Sequence, residues 1–246
     1  MRIAILEDEF SQAQFVSQLL VRQGHSCFCF SRGRELMQRI RRETYDLLFL
    51  DWGLPDVDGL SVLRWVRQNV SPTLPVVFMT SRATESDIVE ALGYGADDYM
   101  VKPLRQAELI ARVEALARRA YPATKPAALV PEVLAGYTFD ARRNSVTFRG
   151  ETVSLTQKEF ELALILFRNI SRPLSRSYLH EIIWGRDHDI PSRTMDTHIS
   201  RIRTKLELRP DNGFRLFPVY SYGYRLELVD SAPCATTEPT PVAMAS

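Results

Sequence analysis

Tyr45–Leu60 reads YDLLFLDWGLPDVDGL. Leu47, Leu48, Phe49 and Leu50 form an unbroken apolar run of strand length, the pattern of a strand buried on both faces of a parallel sheet. The run ends on Asp51 and passes at once into the turn formers Gly53, Pro55, Asp56, Asp58 and Gly59. In an open α/β sheet, ligands bind at the carboxyl ends of the strands, so an acid there is a candidate reactive group. Alone it reads better as a loop acid capping the next helix; its partners elsewhere in the chain decide.

Working outward, Arg2–Leu6, Ser26–Phe30, Pro75–Met79 and Asp98–Val101 read as four further strands. Helical patterns lie between and after them: one carrying Phe15, Val16, Leu19 and Leu20 and stopped by Gly24, one over Gly33–Glu43, and one marked by Leu60, Leu63 and Val66. Two more follow, marked by Ile88, Ala91 and Leu92 and by the stretch from about Arg105 to Arg119. Strands alternating with helices predict a doubly wound α/β domain with a five-strand parallel sheet over residues 1–120. All its carboxyl ends then share one edge, which receives Glu7, Asp8, Asp51, Thr80 and Lys102.

That set constrains the chemistry. Clustered carboxylates repel unless a cation sits among them, and an all-oxygen site suits Mg2+. An Asp beside a metal can act as a nucleophile toward phosphorus. Phosphoryl transfer then needs charge neutralisation, for which Lys102 is the cation and Thr80 a hydroxyl donor.

Beyond residue 120 the pattern changes. Residues 121–135 (YPATKPAALVPEVLA) are proline-rich and read as a linker. Residues 136–229 begin with short strands at Tyr137–Phe139, Ser145–Phe148 and Thr152–Leu155, with turns at Arg143-Asn144 and Arg149-Gly150. Thr156 and Glu159 make a capping box at a helix start. Further helices cover about Ser175–Trp184 and Ser192–Leu208, and Phe214–Val219 with Gly223–Leu228 forms a closing hairpin. In the helix from Ser192, Met195, Ile199, Ile202 and Leu206 fall on one apolar stripe, so Thr197, Ser200, Arg201 and Thr204 face outward. An exposed helix bearing arginine and small hydroxyls fits a major groove. Residues 230–246 read as a disordered tail.

Charge agrees with this division. Formal net charge is +1, but residues 136–230 carry 15 basic and 12 acidic side chains against 15 and 16 in residues 1–120. With 45% hydrophobic residues the chain can bury substantial cores. The amino terminus, MRIAILEDEF, is unlike a signal peptide, and no apolar run reaches membrane-spanning length. Cys27, Cys29 and Cys234 form neither a disulfide framework nor a metal spacing. A cytoplasmic protein is expected.

The segments ILEDE, LFLDWGLPDVDG, FMTSR and ADDYMVKPL closely resemble response-regulator receiver domains, which are doubly wound α/β domains. LTQKEFELALILF, YLHEIIWG, SRTMDTHISRIRTKL and GYRL resemble the winged-helix output domain of the OmpR/PhoB branch. The resemblance implies Asp51 as phospho-acceptor, with Glu7, Asp8 and the Gly53 carbonyl around Mg2+. It implies Thr80 and Lys102 on the phosphoryl group, Tyr99 as an aromatic switch and a cis Lys102-Pro103 bond. A sensor histidine kinase would be the donor.

It also implies dimerisation through the fourth helix, fifth strand and fifth helix, with ion pairs among Asp97, Asp98, Glu108, Arg112 and Arg119. Ile88 departs from that pattern, standing where a basic partner for Glu108 is usual. Base contacts are implied for Thr197 and Arg201, and phosphate contacts for Arg193, Thr194, His198 and Arg203. In the wing, Tyr220-Ser221 replaces the usual Arg-Gly, with Arg225 nearby, and Ser200 stands where a basic residue is common. The loop Gly185–Pro191 would touch RNA polymerase. The expectation is a phosphorylation-controlled regulator that dimerises and binds promoter DNA at tandem half-sites. An aspartyl-phosphate phosphatase is the enzymatic alternative, weakened by Gly53 where such enzymes carry a second acid. A DNA-binding module regulated without phosphate is the third reading.

Overall fold

The computed structural model describes residues 1–121, 131–185 and 192–229. Most of the expected linker, the loop before the third helix of the second half and the whole of the tail lie outside the described residues.

The amino-terminal half is an open parallel sheet. Its strands are β1 (Arg2–Leu6), β2 (Ser26–Phe30), β3 (Leu47–Leu50), β4 (Val76–Thr80) and β5 (Asp98–Val101), in the order β2-β1-β3-β4-β5. The apolar runs of β1, β3 and β4 are buried on both faces, as an all-parallel sheet requires. Alternation along each strand divides their side chains. Ile3, Ile5, Leu47, Phe49, Val77 and Met79 pack against α1 (Phe10–Arg22) and α5 (Gln106–Ala120). Ala4, Leu6, Leu48, Leu50, Val76 and Phe78 meet α2 (Gly33–Ile40), α3 (Gly59–Asn69) and α4 (Glu85–Gly93). Loop acids after β3 fasten the helices: Asp58 caps α3 by accepting from Ser61 N at 2.9 Å, and Asp56 accepts from Gly33 N at 2.9 Å at the start of α2. Capping thus falls to Asp56 and Asp58, leaving Asp51 to the sheet edge.

The second half opens with an antiparallel sheet of β6 (Glu132–Leu134), β7 (Tyr137–Asp140), β8 (Ser145–Phe148) and β9 (Glu151–Ser154). Three helices follow, α6 (Gln157–Arg168), α7 (Arg176–Trp184) and α8 (Ser192–Lys205), with the two-residue β10 (Leu174–Ser175) just before α7. β10 pairs with β12 (Gly223–Leu228), which pairs with β11 (Phe214–Val219). Tyr137 anchors the core: its ring stacks on Phe148 at 4.0 Å and meets Phe167 and Phe214 edgewise or tilted, while its hydroxyl donates to the Leu206 carbonyl at 2.8 Å.

Four expectations are corrected. β6 pairs with β7, so a strand lies at Glu132–Leu134, inside the expected linker and before residue 136. α2 ends at Ile40 rather than Glu43, because the chain tightens there into a turn with Arg42 N on the Arg39 carbonyl at 2.9 Å. α8 ends at Lys205, although Leu206 and Leu208 remain in the core. Phe15, grouped with Val16, Leu19 and Leu20 on one side of α1, is exposed, since it sits at the margin of that helix's buried stripe. Lys102-Pro103 is cis.

Candidate functional site

The carboxyl edge of the parallel sheet gathers Glu7, Asp8, Asp51, Thr80 and Lys102. Glu7 is 3% exposed and Asp51 8%, whereas Asp8 is open to solvent. One carboxylate oxygen from each acid lies within 4.8 Å of the others. Lys102 Nζ donates to Glu7 Oε2 at 2.6 Å and to Asp51 Oδ2 at 2.7 Å, bridging the two buried acids. Asp51 Oδ1 accepts from Trp52 N at 2.6 Å.

The electrostatics follow from burial. Loss of solvent pushes the Glu7 carboxyl above its usual value, with the nearby charge of Asp51 adding to the effect and Lys102 opposing it. Burial works against the Lys102 ammonium, but its hydrogen bonds to Asp51 and Glu7 prevail and hold it above the ordinary lysine value. Three oxygen donors at a partly open edge are a hard-cation set that fits Mg2+. Gly53 is exposed, and a Cβ there would meet nothing within 4 Å. Gly59 differs: a Cβ there would collide with the Asp51 carbonyl, so the turn closes on the acid only with glycine in that place.

Thr80 lies buried at the end of β4, its Oγ accepting from Arg82 N at 3.2 Å. Tyr99 stacks on Phe78 and donates its hydroxyl to the Arg82 carbonyl at 2.9 Å. The Arg82 guanidinium stands 4.7 Å over the Trp52 ring. Tyr99, Arg82 and Trp52 thus connect the β4–α4 loop to the residue after Asp51; Trp52 and Arg82 were not singled out from the sequence. A groove of about 550 Å³ lined by Ser11, Gln12, Phe15, Ser81, Lys102 and Pro103 opens beside the acids.

On the face of α4, β5 and α5, the expected ion-pairing residues are bonded within the chain. Asp97 accepts from Arg67 at 2.9 Å and from Val76 N at 2.8 Å. Arg112 reaches both Asp98 and Glu108 at 2.8 Å. Arg119 is exposed. Ile88 packs partly against the amino-terminal core, and Val89, Leu92, Tyr94 and Val101 are exposed apolar neighbours.

In the second half, α8 buries Met195, Ile199 and Ile202 and exposes Arg193, Thr197, Ser200, Arg201 and Thr204, as the stripe predicts. Thr194 and His198 are half-buried. Burial lowers the His198 pKa below the ordinary histidine value. Thr197 returns its hydroxyl to the Arg193 carbonyl at 2.9 Å. Arg203 donates to the Leu216 carbonyl at 3.0 Å, tying α8 to the hairpin, and Arg225 pairs with Glu227. These two arginines are therefore partly engaged in holding the fold. Tyr220 stands 97% exposed at the hairpin tip.

Contacts unmarked in the sequence orient α8. Glu159, buried in its capping box, accepts from Lys205 at 2.8 Å and lies 3.8 Å from Arg201. Asp196 accepts from both Arg176 and Tyr224, joining α7, α8 and β12.

Comparison with known proteins agrees with this division. A family described as response regulator receiver domain matches residues 3–114, and one described as transcriptional regulatory protein, C terminal, matches residues 150–226. The chain is 36% identical to the sensory transduction protein RegX3 of Mycolicibacterium smegmatis over 226 residues, covering 92% of this chain and 98% of that protein. It is 33% identical to the DNA-binding response regulator MtrA of Mycolicibacterium paratuberculosis, covering 91% and 97%. Among solved structures, the OmpR/PhoB homolog DrrB of Thermotoga maritima aligns at 26% identity over 92% of this chain and 98% of that one, with a TM-score of 0.45.

Proposed function

This chain belongs to the OmpR/PhoB-type response regulators of two-component systems, and from that premise we propose that Asp51 receives a phosphoryl group which controls dimerisation and promoter binding. The donor is a phosphohistidine on a partner sensor kinase, docking at the groove beside Lys102. An Asp51 carboxylate oxygen attacks phosphorus, the N–P bond breaks, and the imidazole leaves with a proton. Glu7, Asp8 and Asp51, with the Gly53 carbonyl, would hold Mg2+, whose charge when bound offsets that of the phosphoryl oxygens. Lys102 moves from its bridge between the acids to a phosphoryl oxygen, and Thr80 donates its hydroxyl to another. Thr80 thereby pulls on the segment that also carries the Arg82 carbonyl held by Tyr99, so the change at Asp51 reaches the face of α4 and β5.

That face supports a dimer. Arg112, Asp98 and Glu108 exchange their internal partners for ones across the interface, Asp97 and Arg119 join them, and exposed Val89 and Leu92 add apolar area around Ile88. Paired output domains place α8 in successive major grooves, with Thr197 and Arg201 at base edges. Arg193, Thr194, His198 and Arg203 meet phosphates, and Tyr220 and Arg225 lie at the wing. Contact with RNA polymerase falls to the loop ending at Pro191. The protein acts in the cytoplasm as a regulator rather than as an enzyme.

The observation that carries this reading is the Lys102 ammonium shared by Glu7 and Asp51, a cation already placed where phosphoryl charge would arrive. Its test is a gel shift on promoter DNA with and without acyl phosphate. Wild type should bind more tightly when treated and Asp51→Asn should not respond; an Asp51→Asn variant that responds like wild type would refute it.

A further inference from the structure

The closing hairpin runs beside α8, and two contacts fix its direction. Tyr224 donates its hydroxyl to Asp196 in the first half of α8, and Arg203 in the second half donates to the Leu216 carbonyl at 3.0 Å. Leu216 pairs with Leu226, so β12 runs in the same sense as α8. The β11–β12 tip therefore lies at the amino-terminal end of α8, the end whose residues reach base edges in helix-turn-helix proteins. At the tip, Tyr222 N donates to the Val219 carbonyl at 3.0 Å and closes a turn through Ser221, whose φ of 54° is left-handed. That turn throws Tyr220 outward, 97% exposed. An aromatic ring of this kind joins a large apolar body to a polar end that tolerates water.

The cations of the hairpin are placed differently. Arg215 and Arg225 are its only basic residues, and strand alternation puts both on the face turned away from the core. Glu227 stands directly across from Arg215 and two residues along the same face from Arg225. It pairs with both, with Arg215 at 3.0 Å. Phe217, directly across from Arg225, lies under both guanidinium groups, at 4.8 and 5.8 Å. The Glu227 side chain is only 13% exposed, so salt screens this pairing less than it would an open surface pair. One acid thus holds both arginines of the wing, and Arg225 is the nearer of the two to the tip.

We propose that the wing meets DNA as an uncharged element: Tyr220 lays its ring against the deoxyribose edge flanking α8, while Glu227 withholds Arg225 from the phosphates. This rests on the DNA binding through α8 read under Proposed function, and it makes Tyr220 and Glu227 determinants of specificity within that binding. Each phosphate neutralised by a cation makes log K fall by about 0.9 per log unit of salt, for every sequence alike. A ring contact releases no counterion. Withholding Arg225 therefore lowers the binding common to all sequences and leaves base contacts from α8 a larger share of the whole.

The test uses the full-length chain treated with acyl phosphate and duplexes that the wild-type protein enriches from a random pool, with affinities measured from about 50 to 200 mM salt. Tyr220→Ala should weaken binding about tenfold at every salt concentration, leaving the slope of log K against log salt unchanged. Glu227→Gln should bind unrelated duplexes more tightly and steepen that slope by about 0.9, the signature of one freed arginine. Glu227→Asp, which keeps the charge, should restore the wild-type slope, and Arg215→Gln should leave it unchanged. In the wild-type protein the Arg225 side-chain N–H resonances should keep their positions when duplex is added. Tyr220→Ala binding like wild type, or flattening the slope, would overturn the ring contact. Arg225 resonances that shift on DNA would overturn the withholding whether or not Glu227→Gln folds, as would an unchanged slope in a folded Glu227→Gln. A wild-type chain that enriches no duplex would instead overturn the DNA-binding reading, and this proposal with it.

Discussion

At the scale of single residues, Lys102 holds together two acids that burial would otherwise set against each other. Glu7 and Asp51 share its ammonium at 2.6 and 2.7 Å. Removing one partner from such a buried set is costly, because the remaining charges are left unpaired. Lys102→Ala is expected to lose about 3 kcal/mol of stability in urea denaturation without divalent ions, with added Mg2+ restoring a large part. An unchanged midpoint would show that the bridge carries little. Gly59 makes a second point. Its glycine follows from a backbone approach rather than from φ, because a Cβ there would strike the Asp51 carbonyl. Gly59→Ala should cost about 2 kcal/mol, read as a lowered urea midpoint. The pocket residues were legible because topology alone sends strand ends to a common edge. Trp52 and Arg82 were not, because a ring stacked under a guanidinium leaves no periodic trace.

Elements show why some boundaries were readable and others not. Thr156 and Glu159 announce α6 through a local spacing, and the capping box is present as read. What the spacing does not reveal is that Glu159 also reaches α8 through Lys205. Burial works against the Glu159 carboxylate, but Lys205 and the cap hold its pKa below the ordinary 4.5. A lowered folded-state value contributes stability that is full above the unfolded pKa and is lost as pH falls through the folded one. The thermal midpoint of the DNA-binding domain should therefore fall as pH drops below 4.5, and Glu159→Gln should flatten that fall. Equal slopes in the two proteins would remove Glu159 from the account. β6 and β10 escaped the sequence reading for a common reason. β6 is defined by pairing with β7 across a turn at the end of a proline-rich stretch, and β10 by two residues pairing with β12 from nearly fifty positions away. Gly223 marks that second pairing, since a Cβ there would meet the Leu174 carbonyl.

At the scale of the whole molecule, the proposed function rests on three surfaces: the acid pocket at the carboxyl edge, the face of α4, β5 and α5, and the outward side of α8. The two-domain plan was legible because the strand–helix alternation stops near residue 120. The contact between the domains was not. Thr44, Asp46 and Arg172 lie in short connections and Ser175 in the two-residue β10, all with partners distant in sequence. For the second surface, Arg112→Glu should abolish the dimer formed on acyl phosphate treatment, because it places a third acid beside Asp98 and Glu108. Sedimentation would then show a monomer while Asp51 still takes label. A dimer that persists would move the interface elsewhere. All three surfaces matter only if the carboxylate at the end of β3 accepts phosphorus. The direct measurement is to treat the full-length chain with phosphoramidate and Mg2+, reduce it with borohydride and map the product by peptide mass spectrometry. Conversion of Asp51 to homoserine, with Asp8, Asp56 and Asp58 unchanged, is the expected result. An unmodified Asp51, or homoserine at another position, would contradict the account.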